Sequence, residues 1–251
     1  MWRRALLVLP AIVLLAAWQL FATIADLSFF LGDPIAVGIR LGREVSAGTL
    51  LRDVWVTGQQ AAAGLLLGAT LGGIAGVTLA LQSTIRRIMT PYVDALGVIP
   101  PIAFGPIAVL LLGTGFQMKV GFAALSAGLV MLGYAFVGGG SLDRRLLEFV
   151  QTTPHEKHRV WMVVLLPAFS AWIVGGLRAA LAAALVGTFV GQILSASEGL
   201  GYRIQRSLGL FDIEGVWVGI IGFAFLGLVM TAGLAVASDL WMRRVIHHVR
   251  D

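Results

Sequence analysis

Six long apolar runs decide what this chain can fold into. They lie at about residues 5–25, 54–81, 96–113, 120–140, 168–193 and 215–240. A helix needs about 20 apolar residues to cross the hydrocarbon core of a bilayer, and each run is close to that length. With 58% hydrophobic and 12% charged residues, the chain has little polar surface for a soluble fold. The sequence therefore predicts an all-α, polytopic membrane protein with six transmembrane helices and no room for a soluble catalytic domain.

Lysine and arginine are distributed unevenly among the connections between these runs. If the amino terminus is inside, eleven lie on the cytoplasmic side: Arg3, Arg4, Arg86, Arg87, Arg144, Arg145, Lys157, Arg159, Arg243, Arg244 and Arg250. Six lie on the opposite side: Arg40, Arg43, Arg52, Lys119, Arg203 and Arg206. Because cytoplasmic connections carry the excess of positive charge, both termini are predicted to be cytoplasmic. The formal charge of +5 then reflects these flanks, and we expect no nucleic-acid partner.

Glycine recurs at every fourth position in the second apolar run. Gly64, Gly68, Gly72 and Gly76 place bare backbone along one helix face, which permits close approach of another helix. The spacing predicts a packing face. The partner helix could belong to the same chain or to a second copy.

Three prolines interrupt the third run, LGVIPPIAFGPIAVLLLG. Pro100, Pro101 and Pro106 each remove a backbone donor and strain the preceding turn, so this helix is predicted to be kinked or partly unwound. Broken backbone is tolerated at membrane depth where protein covers it or where it lines a watery cavity. Pro100 and Pro101 are therefore candidate walls of a translocation pathway, and a kink that serves only helix packing is the alternative.

Two polar residues lie inside the fifth run. Arg178 would cost about 2.5 to 3.5 kcal/mol at the bilayer centre, so it is expected to face protein or water. It could meet an anionic group during transport, or it could tie helices together through backbone carbonyls. Gln192 could line the pathway or hydrogen-bond a neighbouring helix.

The chain lacks the residues of several chemistries. Its two lysines, Lys119 and Lys157, follow Met and Glu, so the Gly-Lys pair of a phosphate-binding P-loop is missing. The run His155-Glu156-Lys157-His158 has the wrong spacing for a helical zinc site. No acidic residue lies well inside a predicted span, which argues against a proton-driven carrier. We therefore predict no catalytic residue, no metal and no ATP site in this chain.

One polar segment, EFVQTTPHEKHRVWMVVLLP, lies on the predicted cytoplasmic side at residues 148 to 167. Thr153 suits a helix N-cap, Pro154 the first helical position, and Glu156 the third, so a helix is predicted to start at Pro154. Pro167 should end it or turn it. With a short helix upstream, the segment predicts a cytoplasmic helix-turn-helix.

The spacing within this segment resembles the EAA loop of binding-protein-dependent ABC transporter permeases. That pattern is Glu-Ala-Ala, three residues, Gly, nine residues, then Ile-x-Leu-Pro. Here the matching places hold Glu148, Phe149, Val150, Pro154, Val164, Leu166 and Pro167. Phe and Val replace the two alanines, and a proline that can start a helix replaces the glycine.

Further stretches resemble the nitrate, sulfonate and taurine branch of these permeases. They include FFLGDPIAV after the first span, residues 90–120, and GGLRAALAAALVGTFVGQILSASEGLGYRI at 175–204. Gln192 stands where that branch commonly has Glu, and Gly97 occupies a place that is often held by Arg.

The resemblance implies a type I ABC importer permease fold in a bacterial inner membrane. Residues 1–53 would form an N-terminal transmembrane helix and an outer segment, and residues 54–251 the permease domain with a coupling loop at 141–167. ABC ATPase subunits would bind the ATP and Mg, an extracytoplasmic substrate-binding protein would deliver the solute, and a second permease copy would complete a homodimer. The loop residues expected to contact the ATPase are Glu148, Phe149, Val150, Pro154, His155, Glu156, Lys157, Arg159 and Pro167.

The solute implied by this branch is small. A sulfonate, nitrate or related oxyanion is expected first, and a small aromatic or vitamin precursor is the alternative. A secondary carrier that works without ATP is the competing function.

Overall fold

Every regular element that the structure contains in its described ranges is a helix. The computed structural model describes residues 2–24, 28–141, 166–195 and 197–250. We label the helices in chain order: α1 Trp2–Ile24, α2 Ser28–Leu31, α3 Pro34–Ser46, α4 Thr49–Leu81, α5 Ser83–Val98, α6 Gly105–Leu112, α7 Phe116–Gly140, α8 Leu166–Ser195, α9 Leu200–Gly209 and α10 Ile213–Arg250. A short 3-10 helix, Pro101–Phe104, lies between α5 and α6.

Four helices in the described ranges are long and apolar enough to cross a membrane. They are Thr49–Leu81, Phe116–Gly140, Trp172–Ser195 and Ile213–Met242, which correspond to the second, fourth, fifth and sixth apolar runs. The third run forms a pair of helices with a sharp bend between them. In the first run, the part of α1 that qualifies as apolar helix, Val13–Thr23, is shorter than a span. The described residues therefore contain four candidate spans, or five if the bent pair is counted as one span. The full set of six stays a prediction.

The third apolar run is broken at its prolines. Helix α5 ends at Val98, and Ile99 and Pro100 are extended, with ψ angles of 120° and 124°. The axis of Ser83–Val98 makes an angle of 85° with that of Pro101–Leu112. Pro100 and Pro101 cannot donate the hydrogen bonds that would continue α5, so the helix ends before them. The predicted kink is confirmed, and it is a complete break rather than a bend within one helix.

The chain divides into two compact units, with boundaries within α4, at the end of α8 and within α10. The first unit comprises Met1–Thr57 and Ala196–Phe225. In it, Asp33 caps α3 by accepting from the backbone N–H of Ile35 at 2.7 Å, and Pro34 occupies the first helical position. The Trp217 ring lies 4.5 Å from the ring of Trp18, and its indole N–H donates to the Leu31 carbonyl.

The second unit comprises Gly58–Ser195 and Leu226–Asp251, and α7 is its central helix. Small residues let the neighbouring helices approach α7 closely. A buried cluster joins α4, α7 and α8 through Ala69, Ala127, Met131, Ala180 and Ala184. Because lipid tails are as apolar as these side chains, close packing rather than the hydrophobic effect holds such helices together.

Candidate functional site

A cavity of about 1000 Å³ lies in the second unit, and we call it the α5–α8 cavity. Its walls come from the end of α5, the broken segment after it, α7 and α8. Pro100 and Pro101, which the sequence marks as a candidate pathway wall, both line it. Unwound backbone at membrane depth is tolerated where it lines a water-filled space. The cavity therefore accounts for the presence of a helix break in an apolar run.

One face of α7 forms much of the cavity wall. Phe122, Ser126, Gly133 and Val137 recur at helical spacing along this face, and Tyr134 lies beside them. The Ser126 hydroxyl is not available as a hydrogen-bond donor to the cavity, because it donates to the Phe122 carbonyl at 3.0 Å. Sequence reasoning missed these residues. Their periodicity places them on one helix face, but it does not reveal that the face lines a cavity instead of contacting a helix.

Arg178 and Gln192, the other two candidate pathway residues, do not line the cavity. Arg178 is exposed on α8, and within the described part of the chain its guanidinium makes no hydrogen bond or ion pair. It lies about 80° round α8 from Val186, a cavity residue eight positions further on, and further round from the other cavity residues of this helix. Gln192 is fully buried, and its side-chain amide donates to Oε1 of Gln60 at 2.8 Å.

The four glycines of the second run lie against α7 of the same chain. A methyl group at Gly64 or Gly68 would overlap Ala123 or Ala124, and one at Gly72 would overlap the carbonyl oxygen of Gly128. At Gly76 it would lie 2.5 Å from the carbonyl oxygen of Leu132. Glycine is required at these positions because the α7 backbone occupies the space of a side chain.

The predicted coupling residues Glu148, Phe149, Val150, Pro154, His155, Glu156, Lys157 and Arg159 lie outside the described residues. Pro167 is the second residue of α8. On the other flank, α7 ends at Gly140, whose carbonyl accepts a hydrogen bond of 2.7 Å from the guanidinium of Arg86. Arg86 belongs to α5, so the same helix contacts the start of the loop at one end and lines the cavity at the other.

The first unit contains an ion-pair cluster formed by α3, α9, the start of α4 and Asp212, which precedes α10. Arg203 bridges Asp53, at 2.6 Å, and Glu44, and Arg40 bridges Glu44, at 2.8 Å, and Asp212, at 2.5 Å. Burial disfavours the charged form of Arg40, but its hydrogen bonds to Glu44 and Asp212 and their negative charges raise its pKa above the usual value. The sequence shows that acidic and basic residues nearly balance in these segments, but not which of them pair.

Comparisons with known proteins agree with this architecture. Residues 68–251 match the family model described as "Binding-protein-dependent transport system inner membrane component". The chain is 28% identical, over 90% of its length and 82% of the relative's, to the "Putative aliphatic sulfonates transport permease protein SsuC" of Bacillus subtilis (strain 168). It is 29% identical, over 91% of its length and 86% of the relative's, to the "Riboflavin transport system permease protein RibX" of Chloroflexus aurantiacus.

A solved structure of the MetNI methionine ABC transporter, in inward-facing conformations, has a similar fold. It superposes with a TM-score of 0.64, 18% identity, and coverage of 80% of this chain and 98% of that chain. At this identity the likeness supports the fold alone. The family match covers most of the chain, and the sulfonate-type relative agrees with the branch that the sequence resembles. The chain belongs to the family of binding-protein-dependent transport system inner membrane components, the multi-pass permeases of ABC transporters.

Proposed function

We propose that this chain is the permease subunit of an ATP-driven importer for a small solute. A binding protein outside the membrane would deliver the solute, and separate ATPase subunits would bind ATP and Mg and drive the cycle. The observation that carries the proposal is the broken third span beside the α5–α8 cavity, in a chain of a transport family whose sequence has no P-loop. A homodimer is the simplest assembly.

The coupling route is proposed to run through α5. The predicted loop at 141–167 would sit on the ATPase, and its first flank is tied to α5 by the hydrogen bond from Arg86 to Gly140. The other end of α5 lines the cavity from Val93 to Gly97. A shift of the loop would therefore reach the cavity wall through one helix. Pro100, Pro101, Arg178 and Gln192 remain the proposed pathway residues, and of these the two prolines have the support of the cavity geometry.

The solute class has two candidates. The sulfonate-type relative supports a small anion, which is the first expectation from the sequence. The riboflavin-type relative supports a ring compound instead. No observation favours the ATP-independent carrier.

Reconstitution in liposomes tests the proposed function. The chain, its ATPase and its binding protein should together give solute uptake that requires ATP hydrolysis, and the chain alone should give none. A hydrolysis-deficient ATPase is the matched control. Uptake by the isolated chain at the full rate would overturn the proposal in favour of a secondary carrier.

The loop itself is tested by Glu148→Lys and by deletion of residues 154–159. Each should abolish association with the ATPase, measured by co-purification, while membrane insertion stays intact. Normal substrate-stimulated ATP hydrolysis after the deletion would contradict the coupling assignment.

A further inference from the structure

We propose that the α5–α8 cavity binds a planar ring compound without negative charge, either neutral or cationic, and that it rejects oxyanions. The inference deepens the proposed function, because it takes the bound compound to be the transported solute. It argues against the small anion that the sequence resemblance favours.

The described lining of the cavity is poor in positive charge. Among the described residues that line the cavity, Asp94 is the only Asp or Glu, and none is Lys, Arg or His. Arg178, the basic residue of α8, does not line the cavity: the lining residue closest to it along this helix, Ala183, lies about 7.5 Å further along the axis and about 140° round it. An oxyanion in the cavity would therefore lose its hydration without gaining a cation or a charged hydrogen-bond donor.

The backbone adds to the negative potential of Asp94. Helix α5 ends beside the cavity at Val98, and a helix C-terminus carries about half a negative charge. Pro100 and Pro101 have no N–H, so the carbonyls of Leu96 and Gly97, four residues earlier, lack their helical donors. Both of those residues line the cavity. Their acceptors suit a solute that donates hydrogen bonds or carries positive charge.

Aromatic side chains form part of the cavity lining. Tyr134, which is 37% exposed, and Trp172, which is half-buried, are the aromatic lining residues with ring surface to offer a solute, whereas Phe122 and Phe136 are buried within the wall. Such rings attract a second ring in offset or edge-on contact, and their faces attract cations. A volume of about 1000 Å³ is at the upper end of small-molecule sites and admits a compound of one to three rings.

Two glycines show that the cavity wall has room for added side chains. A Cβ atom at Gly97 or Gly133 would have no atom within 4 Å, although both residues line the cavity. Gly187, on the opposite wall, differs, since a Cβ there would lie 2.7 Å from the Ser126 hydroxyl. Side chains at positions 97 and 133 can therefore alter the cavity without displacing its wall.

The first experiment compares three ring-matched probes on the full-length chain in lipid nanodiscs. Nicotinamide is neutral, 1-methylnicotinamide is cationic, and pyridine-3-sulfonate is anionic. We expect the first two to bind at least about tenfold more tightly than the sulfonate in equilibrium titration, with empty nanodiscs as the blank. Equal or tighter binding of the sulfonate would overturn the proposal, as would no binding of any probe.

The second experiment places the probes in this cavity. Gly133→Leu should reduce binding of both favoured probes by at least about tenfold. Gly233→Leu is the matched control, since Gly233 lies on the membrane-spanning helix α10, away from the cavity, and its added Cβ also meets open space. Gly97→Arg should invert the order of cation and sulfonate. Unchanged affinities in Gly133→Leu and Gly97→Arg would place the probes elsewhere and contradict the proposal.

These titrations need neither ATP nor a partner, so the two proposals can fail separately. ATP-driven uptake together with tight sulfonate binding would overturn the ring specificity alone. Ring binding with uptake by the isolated chain would overturn the importer alone. The wild-type probe series also decides the question if a variant fails to fold.

Discussion

Gln192, near the end of α8, is a fully buried polar side chain in an apolar run. Its amide donates to Oε1 of Gln60, a residue 132 positions earlier that is only 2% exposed. A buried amide oxygen that loses its donor keeps its desolvation cost, whereas replacing both partners removes the cost at both ends. The pair therefore joins α4 and α8 by hydrogen bonding, one of the two roles open to Gln192 from the sequence.

Replacing one partner should cost more than replacing both. Gln192→Met should destabilise the protein by about 1 to 3 kcal/mol, because Gln60 is left without this donor. The double variant with Gln60→Met should recover most of the loss. Thermal unfolding in detergent, followed by tryptophan fluorescence, measures both. Gln59→Met, on the exposed side of α4, is the control, and equal destabilisation of the single and double variants would contradict the pairing argument.

Asp33 gives a prediction about pH. The backbone N–H of Ala36, the side-chain amide of Gln19 and the backbone N–H of Ile35 hydrogen-bond its carboxylate and lower its pKa below the usual value. Because the folded-state pKa is the lower one, this stabilisation is complete above about pH 4 and is lost as the pH falls through the folded-state pKa. Asp33→Asn keeps a capping oxygen but cannot titrate.

The margin in melting temperature between the wild type and Asp33→Asn should therefore shrink as the pH is lowered from 6 to 3. The wild type and Asp33→Asn share every other acidic group. The difference between their melting temperatures therefore reports the ionisation of Asp33 alone. A margin independent of pH would show that ionisation of Asp33 does not stabilise α3.

At the scale of elements, the close contact between α4 and α7 decides which glycines matter. Gly72 and Gly73 are neighbours in the same helix, yet only the first faces the α7 backbone. A methyl at Gly72 would overlap the Gly128 carbonyl, whereas one at Gly73 would lie 3.5 Å from the Met131 side chain, an ordinary contact. Helix propensity is the same at both positions, so any difference between them reports packing.

Gly72→Ala should destabilise the protein by about 1 to 3 kcal/mol, because it forces two helices apart. Gly73→Ala should be neutral or slightly stabilising, since alanine favours the helix by about 1 kcal/mol over glycine. Urea or thermal unfolding in detergent separates the two. Equal effects would mean that the helices are not in backbone contact at Gly72.

At the scale of the whole molecule, the distribution of basic residues predicts the orientation in the membrane. Eleven Lys and Arg against six predict that both termini lie in the cytoplasm. A green fluorescent protein fused after Asp251 should therefore fluoresce, and alkaline phosphatase fused there should be inactive. A phosphatase fusion after Phe211, in the predicted outer segment, should be active and serves as the control. The reverse pattern would invert the predicted topology.

Local patterns in the sequence determined the helices, the spans and the break. Hydropathy over about 20 residues predicts where a helix can cross lipid, and four of the six runs have a helix that meets this criterion. Pro100 and Pro101 remove two successive backbone donors, so the break before Pro101 needed no tertiary information, whereas the single prolines Pro10 and Pro91 lie inside α1 and α5. The EAA spacing is also local, and the family that it indicates is the family that the chain matches.

Only the tertiary structure decided which distant residues meet. The glycine face could pack on its own chain or on another, and α7 is the helix that occupies it. Gln192 and Gln60, and Arg203 and Asp53, are more than 100 positions apart and pair only after their helices have packed. The α5–α8 cavity is the space that this packing leaves open, and no stretch of sequence records it. Propensity and hydropathy act over one or two turns of chain, whereas a contact or a cavity depends on the relative placement of several helices at once.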